Sequence, residues 1–375
     1  MVHILEVGAF FPSQLVPLRL VNRALCDAAS DPSLYRTIFA ISAAVLETLP
    51  MFMTSSARRL NMHPIVEELD LGDVSRLLPN LTRLDCRFTR LTCGHLVEGA
   101  DLVPLRELSM TADNEQGTDY LSQLTKLECL EIAELDHLPP IASLPALTRL
   151  SVPNCEADTG ELMSLLATAP CAETFVALHL EVLVDATVSP GWWVPLSDLS
   201  SLRELSLDGG AKSHLSLEDE RALADVLGGL PALVVLDVGF SKAVILALLH
   251  RGFPPNLKVL GMGLVCELEV FLAALPRGLL ALQLRSRGKL SVADVRTLLS
   301  RCPKLRAMDL SCDDEAVAYL VGGGLADRTL VLNASMLRPA SDALTAAGHT
   351  VNELRVGVHW RIGGAVVCDG KAMAV

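Results

Sequence analysis

Ten cysteines and nine histidines are the side chains with the most chemical potential in this 375-residue chain. Cys302 stands in the most recognisable setting, "SVADVRTLLSRCPKLRAMDLSC" (291–312), just before Pro303. A reactive thiol needs a neighbouring histidine or cation to hold the thiolate. The nearest upstream histidine is His250, and no spacing ties it to Cys302. A buried packing role is therefore expected, since free cysteine is among the most buried residue types. "CGH" (93–95) is a close Cys/His pair with no second pair at a workable interval, so no metal site is expected. "GMGLVC" (261–266) has Cys266 where a dinucleotide loop needs a third glycine. No G-x-S-x-G, H-E-x-x-H or P-loop pattern occurs, and "GGG" (322–324) reads as a turn. These patterns predict a non-enzyme with no cofactor.

Around Cys302 the stretch is helical before the proline and strand-like after it, and that alternation recurs. The pattern L-x-x-L-x-L, with other apolar residues allowed, appears as "VEELDL" (66–71), "LTRLDC" (81–86), "LRELSM" (105–110), "LECLEI" (127–132) and "LTRLSV" (147–152). It continues as "FVALHL" (175–180), "LRELSL" (202–207), "LVVLDV" (233–238), "LKVLGM" (257–262), "LLALQL" (279–284) and "LRAMDL" (305–310). "TLVLNA" (329–334) and "VNELRV" (351–356) read as degraded last copies. From 81 onward the steps are 24, 22, 20, 28, 27, 31, 24, 22 and 26 residues, a repeat period. The step from 66 is shorter, so 66–71 reads as an irregular first unit.

The composition agrees. The chain is 51% hydrophobic but only 4% aromatic, and leucine makes up roughly a fifth of it against a usual share near a tenth. Many similar thin layers fit that better than one large globule. In each copy the last two apolar positions lie two apart and enter one face of a strand. Such a strand buries its inner face only by stacking on neighbours in a parallel ladder. Helical returns are predicted in "LEDERALADVLGGL" (217–230) and after Ser291, with Asp294 three residues on as a capping partner.

Residues flanking the inward pair must then face out of the ladder. They include Arg83, Asp85, Arg87, Glu107, Glu131, Arg149, His179, Glu181, Glu204, Asp208, Asp237, Arg285 and Asp309, with Glu353 and Arg355 in the last copy. Basic residues gather in the first repeats and acidic ones in the middle. A curved array of mixed polar side chains suits a protein ligand. "SPGWW" (189–193) places Trp192 and Trp193 together, either as packing over an irregular repeat or as an exposed anchor for a partner.

These repeats resemble leucine-rich repeats, and copies such as "LSVADVRTLLSRCPKLRAMDLSC" are similar to the type found in F-box and ribonuclease-inhibitor-like proteins. Only Cys155 occupies the family's Asn/Cys position, so an irregular solenoid is expected. Before the repeats, "HILEVGAFFPSQLVPLRLVNRALCDAASDPSLYRTI" (3–38) resembles a truncated F-box. Ile4 and Leu5 match its Ile-Leu, Leu18 and Val21 its apolar positions, Arg23 its basic one, and "DPSLY" its "DP.LW". Leu25 stands where the family has Trp, and the opening Leu-Pro-x-Glu-Leu is missing. The expected α/β organisation is an F-box-like helical segment over 1–50, a linker or cap over 51–65, and a leucine-rich repeat solenoid over 66–375. The resemblance implies that Ile4, Leu5, Leu18, Val21 and Leu25 dock a Skp-type adaptor of a cullin ubiquitin ligase while the repeat face holds a protein substrate. The alternative is a leucine-rich repeat scaffold or inhibitor whose N-terminal helices cap the first repeat.

A formal charge of −13 argues against duplex nucleic acid and anionic membranes as partners. The apolar run "IFAISAAVL" (38–46) is half of a membrane span. "MVHILEVGAF" lacks the basic region of a signal peptide. A cytoplasmic or nuclear location with reduced cysteines is expected.

Overall fold

In the computed structural model the described residues are 36–40, 47, 51–62, 68–87, 90–92, 104–112, 119–135, 143–155, 158–182, 191–208, 216–239, 242–264, 268–286, 289–309, 312–321, 366–368 and 371–373. They fall into two compact units, the first over 1–158 and 168–174, the second over 159–167 and 175–375.

In the first unit, β1 (Thr37–Ala40), β2 (Arg59–Met62), β4 (Arg83–Cys86), β6 (Glu107–Ala112), β7 (Cys129–Leu135) and β8 (Arg149–Cys155) form a parallel ladder in chain order. Two short strands, β3 (Glu68–Asp70) and β5 (Arg90–Thr92), pair with each other in a separate sheet. Helices α1 (Met51–Ser56) and α2 (Leu71–Leu77) lie between ladder strands in sequence, and Asp70 caps α2 by accepting from the Asp73 N–H. The return before β7 is a 3₁₀ turn, Asp119–Gln123. A step of 20–24 residues leaves room for little more.

In the second unit, β9 (Ala177–Val182), β10 (Glu204–Asp208), β11 (Val235–Val238), β12 (Val259–Leu264), β13 (Ala281–Ser286) and β14 (Ala307–Asp309) form another parallel ladder in chain order. Its returns are mostly helical: α3 (Thr159–Thr168) precedes β9, and α4 (Leu217–Gly229), α5 (Lys242–Arg251), α6 (Leu268–Ala274) and α7 (Val292–Arg301) follow in turn, with α8 (Asp314–Val321) after β14. One cap, at Ser291, was expected from the sequence; the one at Ser216 was not. Ser216 accepts from the Asp219 N–H at α4, and Ser291 with Asp294 forms a reciprocal capping box at α7. A last pair, β15 (Val366–Cys368) and β16 (Lys371–Met373), is antiparallel and separate from the ladder.

The three apolar positions of the repeat have distinct tasks. The first sits at the corner before the strand and is fully buried, as at Leu81, Leu147, Phe175, Leu202, Leu233, Leu279 and Leu305. The next two point inward from the strand, as Leu84 with Cys86, Leu205 with Leu207, and Leu260 with Met262. Between them the carbonyl of the second residue receives two successive N–H groups of the following repeat. Thr82 O accepts from Arg106 N at 2.8 Å and Glu107 N at 3.0 Å, and Arg203 O from Val234 N and Val235 N at 2.8 Å each. In both units the architecture is thus the expected α/β solenoid of leucine-rich repeats.

The ladder begins earlier than the expected first unit at 66. "ARRLNM" (57–62), read as linker, supplies β2, with Ala57, Leu60 and Met62 buried in the three repeat positions. Residues 37–40, read within the N-terminal segment, supply β1. "VEELDL" is not a ladder strand; its residues 68–70 are β3 of the separate pair. Alanine at the first position hid the earlier copy, because a methyl group fills the corner where the other repeats use a larger apolar side chain. The degraded copies at 329–334 and 351–356 lie outside the described residues.

Two glycines are fixed by close approach. A Cβ on Gly228, near the end of α4, would meet the Gly252 carbonyl at 2.9 Å. A Cβ on Gly261 would collide with the Asp237 carboxylate on the neighbouring strand β11.

Leu282→Ala should therefore lower stability by about 2–5 kcal/mol in urea denaturation, while Val194→Ser, at a side chain 57% exposed, should leave the midpoint unchanged. Gly261→Ala should also destabilise. Gly229→Ala, where a Cβ has nothing within 4 Å, should be neutral or slightly stabilising, because alanine has the higher helix propensity.

Candidate functional site

The outward rows of each ladder follow from its register. In the first unit one row runs Arg59, Arg83, Glu107, Cys129, Arg149, and the next runs Asn61, Asp85, Ser109, Glu131, Ser151. These side chains are half-buried or exposed, and they are tied across strands. Arg83 Nη1 meets Glu107 Oε2 at 2.9 Å. Arg87, just past β4, grips Asp85 through Nε and Nη2 at 3.1 and 3.0 Å and reaches Glu131 Oε1 on β7 at 3.3 Å. Ser109 Oγ, on the strand between, donates to the other Glu131 oxygen at 2.9 Å. Hydrogen bonding to Asp85 holds the Arg87 guanidinium above its ordinary pKa, with burial opposing and the Asp85 and Glu131 charges adding to it. The result is a preorganised polar patch spanning three strands, with its charges fixed before any partner arrives.

The second unit's rows differ in kind. One runs Ala177, Glu204, Val235, Val259, Ala281, Ala307, and the other His179, Ser206, Asp237, Gly261, Gln283, Asp309. The first is mainly apolar, which the expectation of a polar face did not include. Glu181 and Asp208 pair in register beyond these rows, as do Gly263 and Arg285. Asp237 is only 3% exposed, so it does not stand open to a partner as expected.

Trp192 and Trp193 are likewise corrected as partner anchors. Their rings meet edge to face, with centroids 5.7 Å apart, and the residues are 3% and 1% exposed. They are core, held at the turn where Gly191 takes a φ of 76°. Ile4, Leu5, Leu18, Val21 and Leu25 lie outside the described residues, as do Cys93 and His95.

The cysteines behave as small apolar side chains. Cys302 is fully buried, its thiol directed at the Pro276 carbonyl 3.5 Å away. Desolvation pushes its pKa up to about 11, against a weak lowering by Arg301. Burial raises Cys312 to about 12, with Asp313 adding to the rise. Cys86 is also raised by burial. Cys129 faces outward beside Glu107 and Arg149, and burial raises it too, although Arg149 and Arg83 pull the other way. Among the described residues no group of three or more His, Cys, Asp or Glu could hold a metal ion, and no helix is long and apolar enough to cross a membrane.

The residues missed by sequence reasoning are Arg59, Asn61 and Cys129 in the first unit and Ala177, Val235, Val259, Gly261, Ala281 and Ala307 in the second. The first two were hidden with their repeat. The others sit at outward positions, where cysteine and apolar residues carried no polar signal.

A double-mutant cycle of Arg87→Ala and Glu131→Gln should give a coupling of about 0.2–1 kcal/mol, shrinking in high salt. Cys302 should resist iodoacetamide at pH 8 in the folded chain and react in urea. The thiol's pKa is higher folded than unfolded, so above pH 9 the unfolded chain releases protons that the folded chain keeps. Its contribution to stability is therefore intact below pH 9 and lost as pH rises toward about 11. The urea midpoint should fall over that window, and less steeply in Cys302→Ala.

No family model and no curated protein sequence matches the chain. Among solved structures it is similar to internalin C2 from Listeria monocytogenes, at 15% identity and a TM-score of 0.38 over 63% of this chain and 96% of that one. It is similar to the yeast Rad7 and Elc1 complex, at 16% identity and a TM-score of 0.47 over 87% of this chain and 81% of that one. A third similarity is to the TLR13–ssRNA13 complex, at 18% identity and a TM-score of 0.40 over 81% of this chain and 42% of that one.

Proposed function

We propose that this chain is a non-catalytic interaction protein that recognises a protein substrate for a cullin-based ubiquitin ligase. The observation that carries the recognition half is the outward patch of the first unit. Arg83–Glu107 and Asp85–Arg87–Glu131–Ser109 present fixed charges of both signs on an accessible sheet face, an arrangement that favours a specific polar protein surface. The ligase half rests on the resemblance of residues 1–50 to an F-box, through Ile4, Leu5, Leu18, Val21 and Leu25. The full chain should co-purify with a Skp-type adaptor, and Leu18→Asp with Val21→Asp should abolish that complex while leaving the melting temperature unchanged.

The alternative is a repeat scaffold or inhibitor whose N-terminal segment only caps the ladder. Its support is Ile38, in the first ladder strand, which is 1% exposed; an end repeat of a solenoid must be covered. On this reading no adaptor binds, and the same two substitutions lower the melting temperature instead.

A further inference from the structure

Each ladder strand opens with an outward residue, preceded by the residue whose carbonyl forks to the next repeat. In the first unit these positions are 36–37, 58–59, 82–83, 106–107, 128–129 and 148–149. They hold six arginines, two glutamates, three threonines and a cysteine. The same positions of the second unit hold three cations, Arg203, Lys258 and Arg306, against Glu204, and none of the three opens a strand. A band with a surplus of four positive charges therefore runs along the heads of the first unit's strands, in a chain whose formal charge is −13.

The fold does not use these cations up. Arg83 pairs with Glu107 at 2.9 Å, and Arg106 pairs with Glu128. Arg58 donates through Nη1 to the Asn80 carbonyl at 3.1 Å, which leaves its charge uncompensated. Arg36 and Arg59 are exposed, and among the described residues no carboxylate pairs with either. Every cation of the band is arginine, whose planar fork matches a carboxylate through two parallel N–H bonds. From β1 to β8 the band crosses five ladder steps. At about 4.8 Å per step that is about 24 Å, which an extended segment covers in about seven residues.

Glu107 and Glu128 interrupt the band, and Asp85 and Glu131 lie in the next outward row. A nucleic-acid backbone carries a charge on every phosphate and would bring anions against these carboxylates. A protein segment can set carboxylates opposite Arg36, Arg59 and Arg83 and a neutral or basic residue opposite Glu107. We propose that the heads of the first unit's strands bind an extended segment of a partner protein rich in Asp and Glu, laid across the strands with carboxylates on Arg36, Arg59 and Arg83. This names the partner's chemistry for the recognition half of the proposed function, on which it rests, and is independent of the ligase half.

A fluorescein-labelled decapeptide of alternating Glu and Ser, titrated with the full chain and followed by anisotropy at low salt, tests it. The expected result is saturable binding that weakens as salt is raised. It should weaken roughly two- to five-fold in Arg36→Gln and again in Arg59→Gln. Arg203→Gln, at the equivalent position of the second unit, should bind like the parent, and an alternating Lys-Ser peptide should not bind. No binding, or binding unchanged in both band variants while they melt like the parent, overturns the proposal. So does a decathymidylate that binds more tightly than the peptide and responds to the same substitutions, which would make the band a phosphate site. If Arg59→Gln does not fold, Arg36→Gln decides alone, because the ladder uses the Arg36 carbonyl, which the substitution keeps. Adaptor co-purification is read separately on the same preparation: a chain that holds the adaptor but not the peptide overturns this inference and leaves the proposed function standing.

Discussion

One carbonyl per repeat holds the ladder in register. Arg36, Arg58, Thr82, Arg106 and Glu128 in the first unit, and Val176, Arg203, Val234 and Lys258 in the second, each accept two successive N–H groups from the next repeat. From Arg58 onward, every one of them follows the first apolar position of its copy. The leucine at that corner is buried so that the next carbonyl points across, and the forked hydrogen bond satisfies the two donors at which the following strand starts. A slip by one residue would break the fork and turn both inward side chains out together. Spacing within the six-residue motif is therefore rigid, while the returns vary between 20 and 31 residues per repeat.

That division explains what was legible in the sequence. Leu84 with Cys86, or Leu236 with Val238, announces a strand and its inner face, because burial on a two-residue period tolerates few residue types. The cap at Ser291 was legible because a hydroxyl at a helix start has a specific donor to meet, with Asp294 three residues on to complete the box. The earliest copies were not. Ala57 satisfies the corner by being small, and no pattern built on large apolar residues finds it. The outward face was legible as positions but not as environment: Asp85 and Asp237 occupy equivalent places, yet one shares a guanidinium in a half-open patch and the other is buried over Gly261. Nothing in either local sequence separates them, since the difference lies on the neighbouring strand, where Gly261 leaves the space that the Asp237 side chain fills.

The two ladders also solve the same packing problem with different returns. Short 3₁₀ turns suffice in the first unit around Asp119–Gln123. In the second, full helices stack on one another, with α4 and α5 close enough that Gly228 has no room for a side chain and with Arg251 and Asp225 paired at 2.9 Å. Leucine carries both solutions, because it fills a corner, a strand face and a helix stripe equally well. That is the physical meaning of a leucine-rich, aromatic-poor composition.

Arg87 has one more consequence. Forces in a repeat stack ordinarily pass only between neighbours, so the array can peel one turn at a time. The Arg87 side chain starts beside β4, passes β6 and ends on β7, with Ser109 of the bypassed strand fastened to the same carboxylate. One contact thereby skips a repeat and ties three turns together. Loss of β4 by local unfolding therefore also releases the Glu131 carboxylate two strands away, so the polar patch loses its fixed charges before its remaining strands have come apart.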